Sequence, residues 1–146
     1  MRVLPRLLAI AAACAFFPTA HANCNAATIA GWFAMSGTGL HYNENIPMVG
    51  VSHVGFDGVN GIKVSRYTSS YAGQVYTYTG TGTYTIDAWC RGTGKITTYQ
   101  NGVAGATTSF SFVVSGTPTN PEISAITWVG APASFTGTAT FKKIGL

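Results

Sequence analysis

The side chains best suited to acid–base chemistry lie in one short segment of this 146-residue sequence, His41-Tyr42-Asn43-Glu44-Asn45. The imidazole of His41 and the carboxylate of Glu44 form a pair that can transfer a proton, and Tyr42 can clamp a ligand. The polar composition of the segment predicts a loop between strands. A solvated connection is the simpler interpretation, and a functional role requires the loop to overhang a cavity.

A second histidine, His53, shares one face of a predicted strand with Val49, Val51 and Asp57. If that face points inward, the imidazole can be the single polar group that orients a ligand. The alternative is a structural histidine with an ordinary hydrogen-bond partner.

Other kinds of site have no support in the sequence. The histidines and the dispersed carboxylates make a poor set of metal ligands, and the segment DGVNG has too few oxygen ligands for a calcium loop. No GxSxG elbow, phosphate-binding loop or HExxH motif occurs. We therefore expect no metal and no cofactor.

The N-terminus has the features of a secretory signal peptide over residues 1–22. Arg2 and Arg6 precede a short apolar run, and Ala20-His21-Ala22 predicts cleavage after Ala22. A lipoprotein signal that uses Cys14 is the alternative. We expect residues 23–146 to form one exported domain, periplasmic or extracellular, and the few charges left in it are too scattered for a nucleic-acid partner.

Cleavage would remove Cys14 and leave Cys24 and Cys90 in an oxidising compartment. Thiols of secreted domains usually pair there, so the sequence predicts a Cys24–Cys90 disulfide. A reactive or metal-binding thiol pair is the alternative, and no CxxC spacing favours it.

The exported part is rich in threonine, glycine, tyrosine and valine, which is typical of strands and turns. No window has a helical period. Alternation and turn residues predict about eight strands. Their predicted ranges are 27–37, 47–57, 62–69, 75–87, 92–100, 108–116, 122–130 and 134–144.

Short turns between neighbouring strands favour antiparallel, up-and-down pairing. Eight such strands favour a closed barrel, which leaves no exposed edge and has room inside for side chains or one small ligand. The aromatic residues are predicted to point inward and the threonine rows to face water. A transmembrane barrel is the alternative, but the threonine faces are polar and the chain ends in KKIGL.

Four segments carry a resemblance to a known family: FDGVNG, GTGTYTIDAWCRGTGKIT, TSFSFVVSG and SFTGTATFKK. They resemble a family of small exported bacterial proteins of unassigned function, whose members carry FDGxGN, GTYTVxxxCxGT, FxFV and GTAxK motifs. DGVNG departs from the usual hairpin spacing, and Trp89 precedes the cysteine. Such proteins resemble the allene oxide cyclase and dirigent group of barrels. The resemblance implies a calycin-like barrel with a central cavity and supplies no catalytic residue.

Three functions are compatible with such a barrel. The first is a non-enzymatic binding module for a small hydrophobic molecule, which follows from the aromatic inner face. The second is a surface or host-interaction protein with a packed core and exposed aromatic patches that include Trp89 or Tyr42. The third is an isomerase or cyclase, which requires His53 or a carboxylate inside the cavity. The residues predicted to bind the ligand of the first function are Phe110, Phe112, Phe135, Phe141, His53 and Tyr42.

Overall fold

The computed structural model describes residues 23–129 and 135–145, so the predicted signal peptide and Cys14 lie outside the described residues. The described chain forms one short 3-10 helix and eight strands. The helix is Ala26–Ile29. The strands β1 to β8 are Gly31–His41, Ile46–Phe56, Gly61–Tyr71, Gln74–Ile86, Arg91–Gln100, Val103–Thr117, Asn120–Val129 and Phe135–Lys143.

The strands close into one antiparallel barrel. Each strand pairs with its neighbour in sequence, and β1 pairs with β8 to complete the ring. In this closing pair Phe33 lies opposite Lys143, and His41 lies opposite Phe135. Closure satisfies the hydrogen-bonding groups that an open sheet would expose at its edges. The prediction of an all-β, eight-stranded, up-and-down antiparallel barrel is confirmed.

Tight turns connect the strands where the sequence predicts them. Asn101 and Gly102 both have positive φ, 52° and 80°, which a two-residue hairpin with the right twist requires. Ala72 and Gly73 have the same geometry, with φ of 49° and 76°. Because successive turns alternate between the two ends, the β1–β2, β3–β4 and β5–β6 turns share one end, the open end. The β2–β3, β4–β5 and β6–β7 turns share the other, the closed end.

Side chains alternate between the interior and the outer wall. In β6, Phe110 and Phe112 are buried and Ser111 between them is exposed. In β4, Tyr84 is buried and the flanking Thr83 and Thr85 are exposed. The predicted direction of both faces is confirmed, because a half-buried strand places one face of its pleat in the core.

Aromatic rings fill the half of the barrel next to the closed end. The ring of Phe56 lies 5.5 Å from the ring of Phe33 and 5.2 Å from that of Tyr84, and both contacts are edge to face. Ile29, from the 3-10 helix, has no exposed surface and completes this cluster. The helix therefore seals the closed end.

The predicted disulfide pins the same end. Cys24 and Cys90 are bonded with their Cα atoms 5.0 Å apart, so the start of the described chain is tied to the β4–β5 turn. The backbone N–H of Cys24 also donates to the carbonyl oxygen of Ala88 at 3.4 Å. The predicted pairing of Cys24 with Cys90 is confirmed.

The first predicted strand, 27–37, is wrong at both ends. Residues 26–29 form the 3-10 helix, because the backbone N–H of Asn25 donates to Thr28 Oγ1 and that of Thr28 to the carbonyl oxygen of Asn25, both at 3.0 Å. Gly31, with φ of 120°, then turns the chain into β1. The strand continues through His41, which moves this histidine out of the predicted loop.

The part of the chain that the structure describes has no helix with the length and apolar character to cross a bilayer.

Candidate functional site

A cavity of about 390 Å³ lies inside the open half of the barrel. Side chains of all eight strands contribute to its wall, which is mainly aliphatic and aromatic. Its deeper apolar residues are Met35, Val54, Val64, Ile96, Phe110, Ala139 and Phe141, and residues nearer the mouth include His41, Met48, Tyr67, Tyr78, Thr98, Thr127 and Phe135. Only the half next to the closed end is filled, so the prediction of a packed core holds for that half alone.

Inward-facing glycines explain why this half is hollow. A Cβ atom built on Gly39 would overlap the ring of Phe135, and one on Gly50 would lie 2.7 Å from Tyr67 Oη. The two rings therefore lie flat against the wall, over the glycines, instead of extending across the barrel. Large rings held in this way line a cavity without filling it.

A bulge in β3 brings Tyr67 into the cavity. Val54 pairs with Val64 and His53 pairs with Arg66, so Ser65 is an extra residue on the β3 side. The extra residue changes which side chains point inward, because strand faces alternate with a period of two. Without the bulge, Arg66 would face the interior in place of Tyr67.

Three tyrosines form a stack near the mouth. The ring of Tyr78 lies 6.0 Å from the ring of Tyr67 and 6.3 Å from that of Tyr76, with interplanar angles of 29° and 25°. Burial raises the pKa of Tyr67, which a hydrogen bond with Ser69 partly offsets, and burial also raises the pKa of Tyr78. Both phenols are therefore uncharged near neutral pH.

His41 is the last residue of β1 and contributes to the cavity wall. Its ring centroid lies 5.1 Å from that of Tyr71 and 6.4 Å from that of Phe135. Its Nδ1 atom is buried and has no hydrogen-bond partner among the described residues. The inward position of His41 follows from alternation along β1, because it shares one face with Phe33, Met35, Gly37 and Gly39. The two glycines interrupt the apolar pattern, so the sequence alone does not extend this face to His41.

No described Lys, Arg, Asp or Glu side chain lines the cavity. Glu44 and Asp57 are exposed, the first in the β1–β2 turn and the second in the β2–β3 turn. Among residues 23–129 and 135–145, no three His, Cys, Asp or Glu side chains are grouped as a metal site would require.

The structure separates the four predicted phenylalanines. Phe110, Phe135 and Phe141 line the cavity. Phe112 is buried but lies toward the closed end, where its ring covers Gly92, and it is not part of the cavity wall. The expectation that Phe112 lines the cavity is therefore wrong. Phe112 points inward like Phe110, but it lies two residues farther along β6 toward the closed end.

The predicted ligand-binding role of His53 is wrong, because that role required the side chain to point into the barrel. His53 is exposed on the outer wall of β2, with Val49 and Val51, while Ser52 and Val54 point inward. The parity of the strand is fixed by the buried Val54 and Phe56, which are one and three residues beyond His53.

Tyr42 lies in the turn at the open end but is 60% exposed, and it does not line the cavity. Trp89, 63% exposed, lies in a turn at the opposite end of the barrel. The cyclase hypothesis required His53 or a carboxylate inside, and neither lines the cavity in the described part of the chain. The histidine that lines the cavity in the described part of the chain is His41.

A scan against protein-family models and a search of curated proteins found no match to this chain. Among solved structures, the chain is similar to an S-type phycobiliprotein lyase, CPES, from Guillardia theta, with 9% sequence identity and a TM-score of 0.48. The alignment covers 89% of this chain and 98% of that chain. No residue role or activity is transferred from this similarity.

Proposed function

We propose that this barrel binds one small, uncharged and mostly apolar molecule in the cavity of its open half. The observation that carries the proposal is a cavity of about 390 Å³ whose described wall is mainly aliphatic and aromatic and has no Lys, Arg, Asp or Glu side chain. Ligand sites in proteins have this size and this composition. Transfer of apolar surface from water into such a wall contributes about 25 cal/mol per Å².

The same wall argues for binding without catalysis. General acid–base catalysis needs a proton donor or acceptor beside the reacting group, usually in a pair. His41, Tyr67 and Tyr78 contribute to the described wall, burial raises the pKa of both phenols, and no described carboxylate accompanies them. We infer a carrier or sensor of the ligand rather than an enzyme that converts it.

The place of action that we propose is outside the cytoplasm, in the periplasm or the extracellular medium. The Cys24–Cys90 disulfide supports this, because such bonds persist in oxidising compartments. The signal-like residues 1–22 agree with it. Membership in the family of small exported bacterial proteins stays a prediction from the quoted motifs.

A titration with N-phenyl-1-naphthylamine tests the proposed function, because this uncharged probe fluoresces strongly only in an apolar site. Thr127 and Ile126 are neighbours in β7 that make a matched pair: Thr127 lines the cavity and Ile126 is 59% exposed on the outer wall. Thr127→Trp fills the cavity, and Ile126→Trp adds the same side chain outside it.

We expect saturable binding of one probe molecule to the natural protein and to Ile126→Trp, and greatly weakened binding to Thr127→Trp. Circular dichroism and thermal unfolding establish that both variants are folded. Absence of saturable binding to the natural protein, or equal affinity in the two variants, would refute the proposal.

A further inference from the structure

Tyr67 is a side chain of the cavity wall that keeps accessible surface. It is only partly buried, and it lines the cavity beside Gly50 and Tyr78. Its hydroxyl is hydrogen-bonded to Ser69, so the polar end of the side chain already has a partner within the protein. The group that Tyr67 can offer to a molecule in the cavity is therefore its aromatic ring.

Gly50 lies directly beneath this ring. The three atoms nearest to a Cβ built on Gly50 all belong to Tyr67, with Oη at 2.7 Å and Cζ at 2.9 Å. Gly50 does not have the positive φ that would require a glycine. Gly39 differs, because a Cβ there would also lie 2.7 Å from the carbonyl oxygen of Thr136. What the missing side chain of Gly50 provides is room for the Tyr67 ring against the wall.

The ring of Tyr67 is also aligned with that of its neighbour across the strands. Tyr78 lies opposite Tyr67 in the β3–β4 pair, and the two ring planes differ by 29°. Tyr78 is likewise partly buried and lines the cavity. The wall near the mouth thus has two accessible rings of similar orientation. Aromatic rings attract one another in offset-stacked and edge-to-face arrangements, in addition to the gain from buried area.

We propose that the ligand carries a flat aromatic ring system that packs against Tyr67 and Tyr78, and that Gly50 permits this by seating the Tyr67 ring against the wall. The proposal rests on the proposed function and specifies the shape and chemical class of its ligand. A Tyr67 ring displaced from Gly50 would move into the cavity and occupy the place of the ligand ring. A globular aliphatic molecule of similar size gains the apolar burial but not the ring contacts.

The test compares 2-naphthol with 2-adamantanol by isothermal titration calorimetry at neutral pH. Both are uncharged alcohols with the same number of carbon atoms, but the first is flat and aromatic and the second is globular and aliphatic. The variants are Tyr67→Leu, which removes the ring, and Tyr67→Phe, which keeps the ring without the hydroxyl. Tyr42→Leu is the matched control, because the Tyr42 side chain is largely exposed and does not line the cavity. Circular dichroism and thermal unfolding establish that each variant is folded.

We expect the natural protein to bind 2-naphthol about three- to tenfold more tightly than 2-adamantanol, the contribution of an aromatic pair. The preference should persist in Tyr67→Phe and Tyr42→Leu and should fall to about twofold or less in Tyr67→Leu. Gly50→Ala should weaken the binding of 2-naphthol, because the added methyl group displaces the ring of Tyr67. The same substitution in the Tyr67→Leu background should leave the affinity unchanged, since the ring that it displaces is absent.

Each other outcome has a separate meaning. No preference in the natural protein, or an equal preference in Tyr67→Leu, would overturn the packing of the ligand on Tyr67 and leave the proposed function standing. Equal effects of Gly50→Ala in the two backgrounds would overturn the role of Gly50. Failure of 2-naphthol to bind to a protein that binds N-phenyl-1-naphthylamine would overturn the ligand class. Failure of both alcohols and of the probe to bind would overturn both proposals together.

Discussion

The phenol of Tyr84 donates a hydrogen bond of 3.2 Å to the carbonyl oxygen of Ala26, which joins the wall of the barrel to the 3-10 helix at its closed end. Tyr84 is 2% exposed, and burial raises the pKa of its hydroxyl, so the proton stays available to donate. The disulfide and the buried side chain of Ile29 hold the same end. These contacts therefore close this end of the barrel.

The contribution of this hydrogen bond can be measured with Tyr84→Phe. We expect the free energy of unfolding in urea to fall by about 0.5–1.5 kcal/mol, because the ring is kept and one hydrogen bond is lost. Tyr42→Phe is the control, since the Tyr42 side chain is largely exposed in a turn. Equal effects of the two substitutions would show that the bond to Ala26 does not stabilise the fold.

Removal of the disulfide should lower the free energy of unfolding by more than Tyr84→Phe does. The bond joins residues 66 positions apart, and chain-entropy estimates for such a loop give about 4 kcal/mol. We expect Cys24→Ala/Cys90→Ala to lose most of this stability in urea unfolding but to bind N-phenyl-1-naphthylamine with unchanged affinity wherever it is folded, since the cavity lies in the other half. Loss of binding by the folded variant would show that the two ends are coupled.

Two aspartates hold the turns at the closed end. Asp57 Oδ1 accepts the backbone N–H groups of residues 59–61 at 2.8 to 2.9 Å. Asp87 Oδ1 accepts the backbone N–H of Arg91 at 2.9 Å, and Asp87 Oδ2 pairs with the Arg91 guanidinium at 2.9 Å. These bonds, chiefly those from the backbone of Val59 and of Arg91 respectively, lower the pKa of each carboxyl below its ordinary value.

Stability should therefore fall in acid. A carboxyl whose pKa is lower in the folded state stabilises the fold above its ordinary pKa, about 4, and this contribution is lost as the pH falls through the folded value. We expect Asp57→Asn/Asp87→Asn to have a lower Tm than the natural protein at pH 6 and a shallower decline toward pH 2. Glu122→Gln is the control, because Glu122 has only an exposed contact of 3.9 Å with Lys142. A decline in the double variant as steep as that of the natural protein would contradict this account.

Gly94 is required by the close approach of its neighbours. A Cβ at this position would lie 2.7 Å from the carbonyl oxygen of Thr83 and would overlap the ring of Phe110. We expect Gly94→Ala to destabilise the protein by about 1–3 kcal/mol, the usual cost of overpacking. Gly105→Ala is the control, since its Cβ would meet nothing closer than 3.4 Å. Thermal unfolding compares the two, and similar Tm values would contradict the proposed crowding.

The sequence predicts the barrel well because its signals are local. Threonine alternates with tyrosine through β4, and Asn101-Gly102 specifies a tight turn without reference to the rest of the chain. The 3-10 helix was missed for the opposite reason. Its burial of Ile29 depends on a barrel end that only the complete fold provides.

The site was harder to predict because its interior is less apolar than part of the outer wall. In β2 the outward residues include Val49 and Val51, both more than half exposed, while Gly50 and Ser52 face inward. The hydrophobic pattern alone therefore predicts that His53, which shares a face with these valines, points inward. The hollow itself depends on rings that lie over glycines, and their conformation is not encoded in residue type.

The most direct test of the central claim is a crystal structure of the protein with 4-(6-bromohexyl)phenol, whose bromine is located by anomalous scattering. Our account predicts one bound molecule inside the barrel, with the bromine near Phe110 and Phe141. A bromine bound only on the outer wall, or an interior with none, would contradict the claim that this cavity is the binding site.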